Sequence, residues 1–300
     1  MKNTKFEGVI AYPITPFDEN EKIDITIYKK LLERLIVSGS HAVAPLGSTG
    51  VMPYLNDDEK EAITEATVSQ VDGRVPILVG VSNLTTERTI YHAKAAEKAG
   101  ADAVMIIPMS YWKLSDDEIV KHYDAVASQI SIPIMAYNNP ATAGVDMSPA
   151  LLKRILEIPN VTMIKESTGD IQRMHYLKKE LGDAVAFYNG SNPLALSAFS
   201  AGATGWCTAA PNLIPELNIA LYNAVQQNDL HGAQKLFYKQ INLLRFIVEK
   251  GLPRAIKSGL EIQGIESGFL RKPLQSITEN ESRELENILH SLVDSNETKD

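Results

Sequence analysis

The stretch Val161-Thr162-Met163-Ile164-Lys165-Glu166-Ser167-Thr168-Gly169-Asp170 places four uncharged, mostly bulky residues ahead of a single lysine. Such a run predicts a short buried strand with Lys165 at its end. Burial disfavours the ammonium form of a lysine, which free in water is almost fully protonated at neutral pH. An amine that is neutral near physiological pH is the nucleophile that imine chemistry on a carbonyl group requires.

A second apolar run, Ile132-Pro133-Ile134-Met135-Ala136-Tyr137, lies upstream and ends in a phenol. The two runs are one β-helix-β unit apart. If the strands are parallel neighbours, the Lys165 amine and the Tyr137 hydroxyl emerge at the same end of one sheet and share a substrate. Each residue also has a structural interpretation: a strand-end lysine with a solvated head, and a core tyrosine with a satisfied hydroxyl.

Short apolar runs bounded by Gly, Pro, Asn or Asp alternate with segments of helical period, which is typical of repeated β-α units. Eight such units predict an α/β fold, a closed (β/α)8 TIM barrel. An open doubly wound sheet is the alternative, but the first run is not followed by a glycine-rich dinucleotide fingerprint. The runs are Gly8 to Ala11, Ala42 to Leu46, Ile77 to Val81, Ala103 to Ile107, Ile132 to Tyr137, Val161 to Lys165, Val185 to Tyr188 and Gly205 to Thr208.

The strand pattern stops after Pro215. Residues 216–248 and 284–293 instead carry apolar residues at helical spacing. We therefore predict a barrel catalytic domain over residues 1–228 and a C-terminal helical region over residues 229–300. This helical extension either packs on the barrel or builds an oligomer interface.

Composition limits the choice of partners. A formal net charge of −8 disfavours a broad nucleic-acid or anionic-membrane surface. No apolar run approaches the roughly 18 residues of a membrane span. The single cysteine, Cys207, excludes an intrachain disulfide and fits a reducing compartment. We expect a cytoplasmic protein that acts on a small molecule.

Metal-dependent chemistry is disfavoured by the histidine pattern. The six histidines are scattered, with no paired spacing and no carboxylate cluster at a strand end. We therefore predict no metal and no cofactor, the covalent intermediate being a Schiff base on Lys165.

Polar residues follow several predicted strands, where the active site of a barrel forms. The loop Gly47-Ser48-Thr49-Gly50 can present backbone N–H groups and two hydroxyls to a carboxylate, although it is also an ordinary turn. Tyr137-Asn138-Asn139-Pro140 ends the fifth run, and Asn189-Gly190-Ser191-Asn192 ends the seventh.

These loops, together with Lys165 to Asp170, resemble the dihydrodipicolinate synthase / N-acetylneuraminate lyase superfamily over nearly the whole chain. The resemblance implies that Lys165 forms a Schiff base with pyruvate or another 2-oxo acid and that Tyr137 relays protons. It also implies that Ser48 passes protons to a second tyrosine from a neighbouring subunit of a homodimer or homotetramer, with Tyr111 as the equivalent. The substrate-binding positions it implies are Gly47, Thr49, Asn139, Thr142, Gly190 and Cys207.

Two departures from the synthase pattern concern the substrate. Val51 stands where the synthases have a glutamate, and Thr142 stands where an arginine grips the carboxylate of the aldehyde substrate. Threonine lacks the bidentate guanidinium fork, and one lost charge-assisted contact costs about 1.5–3 kcal/mol.

We therefore predict a Schiff-base lyase or aldolase, or a dehydratase, that uses pyruvate or a 2-oxo acid such as a 2-keto-3-deoxy sugar acid. The first alternative is dihydrodipicolinate synthase itself, which condenses pyruvate with aspartate semialdehyde. The second alternative is a barrel that binds 2-oxo acids without catalysis.

Overall fold

The computed structural model describes residues 6–182 and 184–294. Strands and helices alternate through its first two thirds. The strands are β1 (Gly8–Ala11), β2 (Ala42–Val43), β3 (Leu78–Gly80), β4 (Ala103–Ile106), β5 (Ile134–Asn138), β6 (Val161–Glu166), β7 (Ala186–Asn189) and β8 (Gly205–Thr208). The α-helices are α1 (Ile25–Val37), α2 (Asp57–Val71), α3 (Thr86–Ala99), α4 (Asp116–Ala127), α5 (Pro140–Ala143), α6 (Pro149–Leu156), α7 (Ile171–Leu181), α8 (Ala195–Ser200), α9 (Pro215–Gln226), α10 (Leu230–Lys250), α11 (Leu252–Ile262) and α12 (Glu279–Asp294).

The strands form one parallel sheet in the order β2-β1-β8-β7-β6-β5-β4-β3. A parallel bridge between Val43 and Ile77 joins the two end strands and closes the sheet. The predicted (β/α)8 barrel is therefore confirmed. Each of the eight predicted runs overlaps one of its strands, although β5, β6 and β7 extend one residue beyond the predicted ends.

Two hydrophobic cores explain why the strands are apolar at consecutive positions. One set of side chains packs between the sheet and the surrounding helices. A second set fills the barrel interior, with Ile10, Leu78, Met105, Met135 and Met163 among its members. Both faces of a parallel strand are covered in this architecture, so neither face alternates with polar residues.

The C-terminal region forms α10 to α12, which follow the last barrel helix, α9. The predicted helical stretch 216–248 is interrupted, because Asn228 adopts a left-handed φ of 58° and Asp229 caps the next helix through the backbone N–H of Gly232. The predicted helix at 284–293 is confirmed within α12. The boundary at residue 228 stays a prediction, and residues 295–300 of the predicted region lie outside the described part.

No helix in the described ranges has both the length and the apolar character needed to cross a membrane.

Candidate active site

The ends of β5 and β6 bring the predicted nucleophile and proton carrier together. Tyr137 and Lys165 are directly paired in the parallel register of these two strands, as predicted. The Lys165 amine lies 3.9 Å from the centre of the Tyr137 ring and 4.2 Å from the centre of the Tyr12 ring. The amine therefore sits between two aromatic faces, which attract its cationic form.

Burial distinguishes Lys165 from an ordinary strand-end lysine. Its exposed fraction is 5%, so the interpretation with a solvated head is wrong. Two other lysines in the described part of the chain are buried: Lys257, which pairs with Glu261, and Lys60 on α2. Of the three, Lys165 lines the cavity of about 250 Å³ into which the ends of β5 and β6 open.

Tyr137 places its hydroxyl in the same cavity as the Lys165 amine. Burial raises the pKa of Tyr137, but the Lys165 charge and the hydrogen bonds from Asn139 and Ser48 outweigh it, so the net pKa lies below its ordinary value. The Asn139 side-chain amide donates to the Tyr137 hydroxyl oxygen over 2.8 Å. A phenol with a lowered pKa releases its proton more readily near neutral pH, and its phenolate can then act as a base.

All but two of the predicted site residues line this cavity. Those that do are Ser48, Thr49, Tyr137, Asn139, Thr142, Lys165, Gly190 and Cys207. Gly47 lies outside this lining, and a Cβ there would come within 2.5 Å of the Tyr12 ring, so the glycine allows that ring to pack closely. Its contact with substrate stays a prediction. Tyr111 does not line the cavity either, since its side chain is 89% exposed.

Gly190 makes room for the lysine. A Cβ at this position would overlap the Ser167 hydroxyl and lie 2.8 Å from Cε of Lys165. Such a distance forces neighbouring atoms to move. The glycine therefore allows β7 to approach the lysine stem closely. It also lines the cavity, as predicted, and its contact with substrate stays a prediction.

The cavity has further lining residues that the sequence analysis did not assign. Tyr12 directly follows β1, so the rule that sites form at strand ends was sufficient to find it. Ser167 lies two residues after the lysine, and its hydroxyl is among the neighbours that lower the pKa of Tyr137. Val248 and Leu252 come from the C-terminal helices and carry no sequence signal of their own.

The cavity lining carries little formal charge. Among its described lining residues, Lys165 is the only one with a formal charge. No group of three or more His, Cys, Asp or Glu side chains in the described ranges is arranged to hold a metal ion. The remaining lining residues are uncharged: hydroxyl, amide and aromatic side chains lie beside apolar ones such as Ala209, Val248 and Leu252.

A buried ion-pair network lies directly beside the site. Glu166 follows Lys165, is fully buried, and pairs with Arg173 over 3.1 Å. The Asn138 amide donates to Glu166 and to Asp146, each over 3.1 Å, while Arg173 also pairs with Asp146 over 2.9 Å. Asn138 and Glu166 directly follow Tyr137 and Lys165, so the network links the ends of the two strands that carry the site.

Replacement of Arg173 by methionine is expected to destabilise the protein by about 3–5 kcal/mol, since it leaves the Glu166 carboxylate buried without a cation. Urea unfolding measures this change. The matched control is Arg245→Met, which removes an exposed pair with Glu249 and is expected to cost about 0.5 kcal/mol or less. Equal effects of the two substitutions would contradict a stabilising role for the buried network.

A closed (β/α)8 barrel with a buried lysine and a tyrosine at the ends of adjacent strands defines a barrel lyase of the aldolase type. Comparison with known proteins identifies the family. The model of the dihydrodipicolinate synthetase family matches residues 5–292. The chain therefore belongs to that family.

Individual relatives agree with this assignment. The 4-hydroxy-tetrahydrodipicolinate synthase of Methanospirillum hungatei is 31% identical over 95% of this chain and 98% of its own length. The synthase of Bacillus subtilis is 30% identical over 96% of this chain and 99% of its own. Both alignments extend over the barrel and the C-terminal helices.

Solved structures also superimpose closely on this chain. The synthase of Methylacidiphilum fumariolicum superimposes with a TM-score of 0.93 at 29% identity, covering 97% of each chain. A Pseudomonas aeruginosa protein, itself only provisionally assigned as a dihydrodipicolinate synthetase, superimposes with a TM-score of 0.94 at 51% identity. That alignment covers 96% of this chain and 99% of the other.

Proposed function

We propose that this protein is a lyase that forms an imine between the Lys165 amine and the C2 carbonyl carbon of pyruvate or another 2-oxo acid. The observation that carries the proposal is the buried Lys165 amine, held against the Tyr137 ring in a cavity open to a small molecule. Membership of the dihydrodipicolinate synthetase family supports it. No cofactor takes part, because the imine itself is the electron sink.

The chemistry follows from these groups. The neutral amine attacks C2, and the resulting carbinolamine loses its oxygen as water to give the iminium ion. Tyr137 is placed to donate and recover the protons of these steps, with Asn139 orienting its hydroxyl. The backbone N–H groups and hydroxyls of the Ser48-Thr49 loop are assigned to the substrate carboxylate.

Carbon–carbon bond cleavage then uses the iminium ion. In a 4-hydroxy-2-oxo acid the C4 hydroxyl gives its proton to the Tyr137 phenolate, the bond from C3 to C4 breaks, and its electron pair forms an enamine. An aldehyde departs, C3 is protonated, and water hydrolyses the pyruvate imine. Condensation runs the same steps in reverse.

Two candidate reactions differ in the second reactant. The names of the relatives support the synthase reaction, with aspartate semialdehyde, better than cleavage of a 2-keto-3-deoxy sugar acid. One local observation favours a lyase with an uncharged aldehyde: Thr142 stands at the position of the carboxylate-binding arginine, and Lys165 is the only formal charge among the described lining residues.

The exposed position of Tyr111 supports the predicted role across a subunit interface. Its ring meets Trp112 edge to face at 5.6 Å, and both side chains are largely exposed in the single chain. In a homodimer or homotetramer this loop would complete the proton relay through Ser48 of a neighbouring subunit.

Incubation with pyruvate and borohydride is expected to add one reduced pyruvyl group, measured as intact mass and located on Lys165 by peptide mapping. A substrate panel then separates the two reactions. Aspartate semialdehyde consumed with pyruvate far faster than any uncharged aldehyde would identify a synthase, and the reverse order would identify the other lyase. An adduct without turnover of any pair would support the non-catalytic alternative.

A further inference from the structure

The C-terminal helical region contributes two apolar side chains to the cavity. Val248 belongs to the last turn of α10 and Leu252 is the first residue of α11. Gly251 lies between them with a left-handed φ of 91° and turns the chain sharply. We call Val248, Gly251 and Leu252 the α10–α11 corner.

The corner is held in place by its surroundings. Pro253 stands in the first turn of α11, and buried Ala255, Ile256 and Leu260 anchor that helix. On the α10 side, the Lys250 amine pairs with Glu281 over 3.3 Å and lies 3.9 Å from Glu284, both on α12. The two apolar side chains are therefore carried by packed helices rather than by a free loop.

Val248 is unusual for its setting. It is 46% exposed although it lines a cavity whose other walls carry hydroxyl and amide groups. Ala141, in the short helix α5 after β5, is also exposed and lines the same cavity. Apolar surface left open at a ligand site gains free energy when an apolar ligand group covers it.

The formal charges in the cavity also favour an uncharged second reactant. After imine formation, one iminium charge and one substrate carboxylate neutralise each other. A second carboxylate would enter a cavity whose described lining offers no further cation to pair with it. An aldehyde whose far end is uncharged and apolar brings no unpaired carboxylate into the cavity. That end can also cover Val248 and Leu252.

We propose that the α10–α11 corner is the specificity wall for the second reactant, and that it selects an uncharged aldehyde with a short alkyl group. This inference rests on the proposed imine chemistry at Lys165. In the synthetic direction the enamine C3 attacks the aldehyde carbon, the aldehyde oxygen takes up a proton, and hydrolysis releases a 4-hydroxy-2-oxo acid. In the cleavage direction the same wall holds the alkyl end of that acid.

The expected order of kcat/KM with pyruvate is butanal above glyceraldehyde, and glyceraldehyde above aspartate semialdehyde. Val248→Lys places a cation at the half-exposed rim, so it is expected to raise kcat/KM for aspartate semialdehyde by about fivefold and lower that for butanal. Val37→Lys is the matched control, because it changes a 74% exposed valine on α1 and is expected to alter neither value.

A second variant at the same position tests the proposal if Val248→Lys does not fold. Val248→Thr keeps the side-chain volume and adds a hydroxyl, and it is expected to reduce the preference for butanal over glyceraldehyde. Borohydride trapping of pyruvate is the independent readout, since the corner is not needed for the imine itself. A pyruvyl adduct combined with preference for aspartate semialdehyde, or with selectivity unchanged in both variants, overturns the specificity wall and leaves the imine chemistry standing. Absence of the adduct from the wild-type protein overturns both.

Discussion

Replacement of Lys165 by methionine is expected to lower kcat/KM for any 2-oxo acid substrate by on the order of 10⁴–10⁶-fold, the scale on which loss of a covalent nucleophile acts. Methionine is close to lysine in length and flexibility, so it can still pack between Tyr12 and Tyr137. Steady-state assays measure the loss, and intact mass after borohydride reduction with pyruvate checks that the adduct has disappeared.

Two controls separate loss of chemistry from loss of structure. Lys165→Arg keeps a cation between the two rings but offers no nucleophile, because a guanidinium stays protonated. It is expected to be as inactive as the methionine variant, with a similar unfolding midpoint. Lys257→Met tests the second buried lysine, which pairs with Glu261, and is expected to retain the adduct. A pyruvyl adduct that persists in Lys165→Met would refute the assignment.

The barrel and the central pair of site residues were predictable because they depend on local pattern. Consecutive apolar residues reveal strands that are covered on both faces, and adjacent parallel strands bring their final residues to the same edge. Tyr137 and Lys165 therefore follow from two short runs and one rule of sheet topology. Their direct pairing in the register of β5 and β6 confirms the expectation.

Residues that depend on long-range packing were not predictable in this way. Val248 and Leu252 reach the cavity only because the helices after the barrel fold back over it. The close approach of the Tyr12 ring to Gly47 likewise becomes visible only in the folded chain. The Glu166–Arg173 pair joins a strand to the helix that follows it, and its role appears only once both are seen to be buried.

The two tyrosines that flank the Lys165 amine have different environments, although both present a ring face to it. Burial raises the pKa of Tyr12 well above its ordinary value, and the neighbouring Cys207 raises it further. Its hydroxyl donates to the sulfur of Met105 over 3.3 Å. The pKa of Tyr137 is instead lowered by the Lys165 charge and by hydrogen bonds, against the effect of burial. The two phenols therefore differ in how readily they ionise: burial holds Tyr12 in its neutral form, whereas the surroundings of Tyr137 favour its ionised form.

Tyr137→Phe is accordingly expected to lower kcat by about 10²–10⁴-fold, the usual contribution of a general acid–base group. Tyr12→Phe is the matched variant, since it keeps the ring against Lys165 and removes a hydroxyl that is not poised to ionise; a change within about tenfold is expected. Single-turnover measurements of imine formation and steady-state assays compare the two. The wild-type pH–rate profile should also contain a limb that Tyr137→Phe lacks and Tyr12→Phe keeps. If the two variants lost activity equally, the different pKa directions of the two phenols would have no part in catalysis.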